Sequence, residues 1–129
     1  MDVETTIKTV LDCANNVRKT LGPGYLEKVF ENALAIELQE AGLEFRQQFP
    51  ISITYKNIII GDYIADMLIE NNLIVELKAV KDINPTHEAQ LVNYLTATGI
   101  DDGLIINFGN EDKIQIKRKY RVYRPKTQH

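Results

Sequence analysis

The chain has 129 residues, 44% hydrophobic and 26% charged, with a formal net charge of −3. These are the proportions of an ordinary globular chain, and the length suits one domain over residues 1–129. No apolar run approaches the roughly 18 residues that span a bilayer, and a single cysteine, Cys13, excludes an intrachain disulfide and a cysteine-based zinc cluster.

The first residues, MDVETTIKTVLD, are acidic and amphipathic and unlike a signal peptide. A reducing, cytoplasmic setting is therefore expected. Ile7, Val10, Leu11, Ala14, Val17 and Leu21 recur at helical steps and predict a core-facing helix over 3–20. Cys13 lies within it, read as a small core residue rather than a reactive thiol. Leu21-Gly22-Pro23-Gly24 breaks the pattern. A second helix follows, its stripe made of Leu26, Val29, Phe30, Ala33, Leu34, Leu38 and Ala41, with Gly42 as its stop.

From Glu44 to Tyr55 the sequence EFRQQFPISITY is strand-like, and Lys56-Asn57 predicts a tight turn into IIIGDYIADMLIE. Asn71-Asn72 turns that strand into NLIVELKAV, which is apolar enough for a central strand. Asn84-Pro85 opens a third helix and Gly99 closes it. Strands over 103–108 and 113–123 complete an α-α-β-β-β-α-β-β order, an α/β fold built on a mixed sheet.

Residues 113–129 hold seven Lys/Arg and no acid, whereas residues 1–112 hold eight bases and eighteen acids. The basic tail can meet phosphates. Its alternation of Ile114, Ile116, Tyr120 and Val122 with Lys113, Lys117, Lys119 and Arg121 equally suits the solvated face of an edge strand.

Charge interrupts the apolar strands at Asp66, Glu76 and Lys78. Residues two apart on a strand share a face, so Glu76 and Lys78 point the same way while Leu77 points oppositely. Asp66 joins them only if the hairpin register places it beside Glu76. A two-residue turn at Asn71-Asn72 would set Asp66 opposite Leu77 and send it to the wrong face. The constellation therefore predicts a three-residue loop at 70–72, or a β-bulge. Two carboxylates on adjacent strands make an oxygen site suited to Mg²⁺ or Mn²⁺. A water on such a metal is acidified, and Lys78 beside it suits phosphodiester hydrolysis. An E-x-K triplet alone arises by chance in about half of chains this long.

Further motifs accompany it: Gly24-Tyr25-Leu26-Glu27-Lys28-Val29-Phe30, then Asp66, then Glu76-Leu77-Lys78-Ala79, then His87-Glu88-Ala89-Gln90 with Tyr94, then Asn107-Phe108-Gly109. In this order they resemble the GxxExxY family of the PD-(D/E)xK nuclease-like superfamily, from about Gly22 to Tyr120. The resemblance implies a restriction-endonuclease-like mixed sheet flanked by helices. It implies Asp66 and Glu76 as metal ligands, Lys78 as the catalytic lysine, and Glu27 as a helical glutamate that reaches the metal directly or through water. Glu27 borders the apolar stripe of its helix, about 60° from Phe30. Its other reading is a first-turn glutamate favoured by the helix dipole.

Gln90 resembles the helix glutamine that follows the E-x-K strand in many such nucleases, and His87, Gln90 and Tyr94 line one side of their helix. Phe30 departs from the family's tyrosine, which removes any hydrogen bond of the phenol. Asp62 is either an extra ligand or a strand-edge charge. The expected partner is nucleic acid, DNA ahead of RNA, without membrane association, and a homodimer is compatible with this fold. The alternative function is a noncatalytic module of the same fold that binds a nucleotide or a protein.

Overall fold

The computed structural model describes residues 1–122. The end of the strand expected over 113–123, with Arg124 and His129, lies outside the described residues. The elements are α1 (Val3–Leu21), α2 (Glu27–Glu40), β1 (Phe45–Tyr55), β2 (Ile58–Ile69), β3 (Leu73–Lys78), α3 (Pro85–Thr98), β4 (Asp102–Asn107) and β5 (Gln115–Tyr120). They form a five-stranded sheet in the order β1-β2-β3-β4-β5. β3 and β4 run parallel, with α3 as their crossover, and the other neighbours are antiparallel. This is the mixed sheet with flanking helices that the order of elements predicts.

Local chemistry sets the helix ends. Asp2 accepts a hydrogen bond from the Thr5 N–H at 2.9 Å and opens α1. α2 closes at Gly42, whose φ of 78° is left-handed, with the Leu43 N–H on the Leu38 carbonyl at 3.1 Å. α3 opens on a reciprocal cap: the Asn84 side chain accepts the His87 N–H at 3.1 Å, and His87 Nδ1 accepts the Asn84 N–H at 3.3 Å. Gly99, at φ 74°, closes it. Among the described residues no helix is long and apolar enough to cross a membrane.

The sheet separates two cores. Met67, Ile69, Leu73, Val75, Leu77, Leu104 and Ile106 pack against α1 and α2, with Cys13 buried among them. Ile51, Ala65, Leu68, Ile74 and Ile105 pack against Leu91, Tyr94 and Leu95 of α3. The buried face of α2 is rotated from the expected stripe: Leu26, Val29 and Ala41 are exposed, while Glu31 and Ala35 are buried. The hydrogen bonds that hold Glu31 in place, described below, explain that rotation.

Phe30 is fully buried and stacks on Phe108, with ring centroids 4.7 Å apart and 4° between planes. At this position the side chain is core, so a hydroxyl would need its own buried partner.

The loop after β3 is stitched to β4 by Asn107, which is fully buried. Its Oδ1 accepts the N–H groups of Val80 and Gly109, each at 3.0 Å. Its Nδ2 donates to the Val80 carbonyl at 2.8 Å and to Gln115 at 2.9 Å. Any Cβ at Gly109 would strike the Val80 backbone, so glycine is required there. Asn107→Ala strands buried partners and is expected to destabilise the fold by about 2–4 kcal/mol in urea melts. A loss below about 1 kcal/mol would show that this clamp is unimportant.

Candidate active site

β2 and β3 pair only over Met67↔Val75, Leu68↔Ile74 and Ile69↔Leu73. That register leaves Glu70, Asn71 and Asn72 as a three-residue loop, with Glu70 and Asn71 at φ 53° and 54°. Continued by one step it sets Asp66 across from Glu76, the register that the constellation requires. There the ladder gives way to side chains. Asp66 Oδ2 accepts the Leu77 N–H at 2.7 Å, and the Asp66 N–H approaches Glu76 Oε2 at 3.4 Å. The strands thus fork around two carboxylates.

Both carboxylates and Lys78 lie on the α3 side. On β3, Leu73, Val75 and Leu77 pack toward α1 and α2 and Ile74 packs toward α3, so Glu76 and Lys78 share the face of Ile74. On β2, Asp66 has the parity of Leu68, which packs toward α3. Ala65 also belongs to the α3 core, so alternation breaks at Asp66, and on β1 Gln48, between the partners of Met67 and Ala65, adopts φ 55°. The irregularity sits beside the fork, as strand distortions often do near functional groups.

Glu76 is 5% exposed. Burial first, then a hydrogen bond and repulsion from Asp66, push its carboxyl up to about 9, against the pull of Lys78. Glu76 therefore tends to hold its proton where positive charge is in short supply. Burial and the Asp66 charge also raise Glu27, again opposed by Lys78. Glu27, Asp66, Glu76 and Lys78 consequently feel one another across the fork. Yet among the described residues no three His, Cys, Asp or Glu side chains converge closely enough to hold a metal on protein ligands alone.

Glu27 begins α2, and the next turn of the same face holds Glu31, a buried carboxylate whose contribution sequence reading missed. Glu31 accepts from Gln47 Nε2 at 2.6 Å, Gln48 Nε2 at 2.8 Å and Lys28 Nζ at 3.0 Å. This clamp ties the start of α2 to β1 where Gln48 faces the fork, and so fixes the approach of Glu27. Its sequence signal was an acid between Phe30 and Leu34, followed by the pair Gln47-Gln48.

On α3 the expected row separates into roles. His87 belongs to the helix cap, and burial followed by Lys78 lowers its imidazole below the ordinary range. Tyr94 is pushed up to about 12 by burial and then by Glu76 and Asp66, so its hydroxyl keeps its proton at neutral pH beside the carboxylates. Gln90 lines a groove of about 620 Å³ between α3 and the β1–β2 hairpin, with Ser52, Thr54, Tyr63, Asn93 and Tyr94. The groove walls are aliphatic, aromatic and neutral polar groups, Ile53, Ala89 and Ala97 among them. Asp62 lies exposed on β2 and accepts from Ser52 Oγ at 3.3 Å.

The basic stretch occupies β5, the sheet edge farthest from β1. Arg118 pairs with Glu4 and Asp102, Lys119 with Glu88, and Arg121 with Asp101. Much of its charge is thus neutralised inside the fold, while Lys113 and Lys117 stay exposed.

The family model for the PD-(D/E)XK nuclease superfamily matches residues 4–119. The crystal structure of SSO0001 is similar in fold, with a TM-score of 0.52 and 18% identity over 70% of this chain and 48% of that one. The chain thus spans about half the length of that protein. No curated protein matches the sequence.

Proposed function

The chain belongs to the PD-(D/E)XK nuclease superfamily, and on that premise we propose that it hydrolyses nucleic-acid phosphodiester bonds with a divalent metal at the fork between β2 and β3. One observation carries this reading: Asp66 and Glu76 meet at the fork, and Lys78 shares their side of the sheet. The Gly24, Glu27 and Phe30 spacing supports placement among the GxxExxY proteins, and DNA is the substrate put ahead of RNA. The lone buried thiol suits a cytoplasmic setting.

The donor set fits a hard cation. Two carboxylates supply oxygen ligands only, and the upward push on Glu76 marks an unmet demand for positive charge. Mg²⁺ or Mn²⁺ would sit on Asp66 and Glu76 and keep waters elsewhere, which is magnesium's habit. Glu27 would act through one of those waters, in keeping with its distance from a three-ligand set. When bound, such a cation supplies Lewis acidity toward a phosphoryl oxygen and acidifies a water.

The chain's own groups do the rest. Lys78 Nζ carries positive charge on the side of the sheet where phosphoryl oxygens gain negative charge. Tyr94, protonated up to about 12, donates from its hydroxyl without becoming an anion. The Gln90 amide would orient substrate in the groove between α3 and the β1–β2 hairpin. Glu31 positions the helix that carries Glu27.

The pairing of the β5 cations with acids of the same chain favours a second reading, a noncatalytic module that binds a nucleotide or a protein. Incubation with labelled DNA and RNA, single-stranded, duplex and branched, separates the two. Cleavage of at least one DNA in Mg²⁺ or Mn²⁺ and none in chelator is expected. Failure to cut any of them would replace the nuclease with the module.

A further inference from the structure

α3 turns a stripe of short, neutral side chains toward the β1–β2 hairpin. Thr86, Gln90, Asn93 and Ala97 recur at steps of three and four, and all of them line the groove of about 620 Å³ between the two elements. A volume of this size is ordinary for a small-molecule site, and such sites combine apolar walls with a few polar groups that fix orientation. Here Ile53, Ala89 and Ala97 are the apolar part, and Gln90 and Asn93 the polar part.

Tyr63 is the wall that β2 contributes. Its ring is 47% exposed and stands 5.8 Å from that of Tyr94, with 51° between planes. Tyr94 is buried beneath α3, so Tyr63 is the aromatic surface left for a guest to cover. Tyr94 also connects the groove to the carboxylates, since its hydroxyl feels Glu76 and Asp66.

The lining of the groove contains no Asp, Glu, Lys, Arg or His among the described residues. A phosphate therefore has no cation to meet inside it. A neutral heterocycle finds what it needs: an aromatic face for stacking, and two amides that each offer a donor and an acceptor to its edge.

We propose that the groove takes one unpaired nucleobase of the strand whose phosphodiester lies at the fork, so the substrate is nucleic acid with an unpaired base beside the bond to be cut. This rests on the reading of the fork as a nuclease site and adds a substrate class to it. The base stacks on Tyr63, and Gln90 and Asn93 bond its edge. In an intact duplex neighbouring bases cover its faces and its partner covers its pairing edge, so neither contact forms unless the base is turned out of the stack. Single strands, flaps and mismatches present such a base directly.

Fluorescence anisotropy of the full chain tests this with a short labelled single strand, the same strand made abasic, and the blunt duplex. Ca²⁺, which takes oxygen ligands, stands in for Mg²⁺. The strand with bases is expected to bind at least about 10-fold more tightly than the abasic strand or the duplex, as stacking of a base on an aromatic ring predicts. Tyr63→Ala should bring it within about 3-fold of the abasic strand, whereas Tyr63→Phe, which keeps the ring, should bind like wild type. Asn93→Ala should weaken the strand with bases about 5-fold and leave the abasic strand unchanged. Both residues lie on the surface, and circular dichroism melts check that each variant is folded.

Equal binding of the abasic strand overturns the proposal, as does a duplex bound as tightly as the single strand, or binding of no nucleic acid at all. Tyr63→Ala that binds like wild type removes the base from the groove. Cleavage in Mg²⁺ or Mn²⁺ is read separately. Binding that depends on bases without any cleavage upholds the base site and overturns the fork as a nuclease, whereas cleavage indifferent to unpaired bases does the reverse.

Discussion

Lys78→Ala is expected to lower metal-dependent cleavage by about 10²–10³-fold while the protein stays folded, because the lost group is a single preorganised charge. Lys78 makes none of the direct ion pairs among the described residues. Its influence reaches Glu27, Glu76 and His87 through the field alone. Asp66→Asn should cost at least as much. Asparagine still offers an oxygen to the Leu77 N–H, which preserves the 2.7 Å bond that shapes the fork, but it removes the anionic ligand. Single-turnover rates with a labelled substrate, beside circular dichroism of each variant, read both effects. Retained cleavage in folded Lys78→Ala would remove the lysine from the mechanism, and retained cleavage in both would assign the activity elsewhere.

Glu76→Gln should do two opposite things: abolish cleavage and make the metal-free protein more stable. The Glu76 carboxyl is pushed up to about 9 from the ordinary 4.5 of a glutamate in water. A group raised on folding contributes stability that is complete below its unfolded value and is lost as pH climbs through its folded value. Metal-free wild type should therefore lose stability progressively from about pH 4.5 to 9, and the raised Glu27 carboxyl acts in the same direction. Glutamine copies the protonated acid without that liability.

At pH 8 the variant is expected to gain several kcal/mol, up to about 5 for the whole interval from 4.5 to 8 at about 1.4 kcal/mol per tenfold change in proton affinity. For a chain of this size even about 2 kcal/mol of that raises the melting temperature by roughly 8 °C. Thermal melts in chelator across this pH range check it. A pH-independent wild type, or a destabilised Glu76→Gln, would mean that the carboxyl pair carries no strain. A stabilising change that ends activity is the pattern of a residue kept for chemistry.

The helices and their ends were legible because caps are local chemistry: Asn84-Pro85 and the glycines at 42 and 99 act within a few residues of themselves. The three-residue loop at 70–72 was legible only from chemistry. Asn71-Asn72 by itself suggests a two-residue turn, and the need to bring Asp66 to Glu76 is what argued against it. The buried face of α2 was misread at Leu26 and Val29 because burial there follows Glu31. That acid is satisfied by Gln47 and Gln48, sixteen and seventeen residues away, which no helical periodicity reports.

Asn107 was noticed as part of a motif, yet its work as a clamp on Val80 depends on the parallel pairing of β3 with β4. The isoleucines at 58–60 looked like ordinary strand residues. Only the shortness of β3 leaves them uncovered.

Asp66 and Glu76 are proposed above all as an anionic pair held for a divalent cation, and calorimetric titration of Mn²⁺ into metal-free protein at pH 8 tests this most directly. Wild type should take up one ion per chain with release of protons, because Glu76 must ionise to bind it. Asp66→Asn should show little or no heat. Absence of heat in wild type, or equal binding by folded Asp66→Asn, would contradict the claim and leave the fork a structural pair of carboxyls.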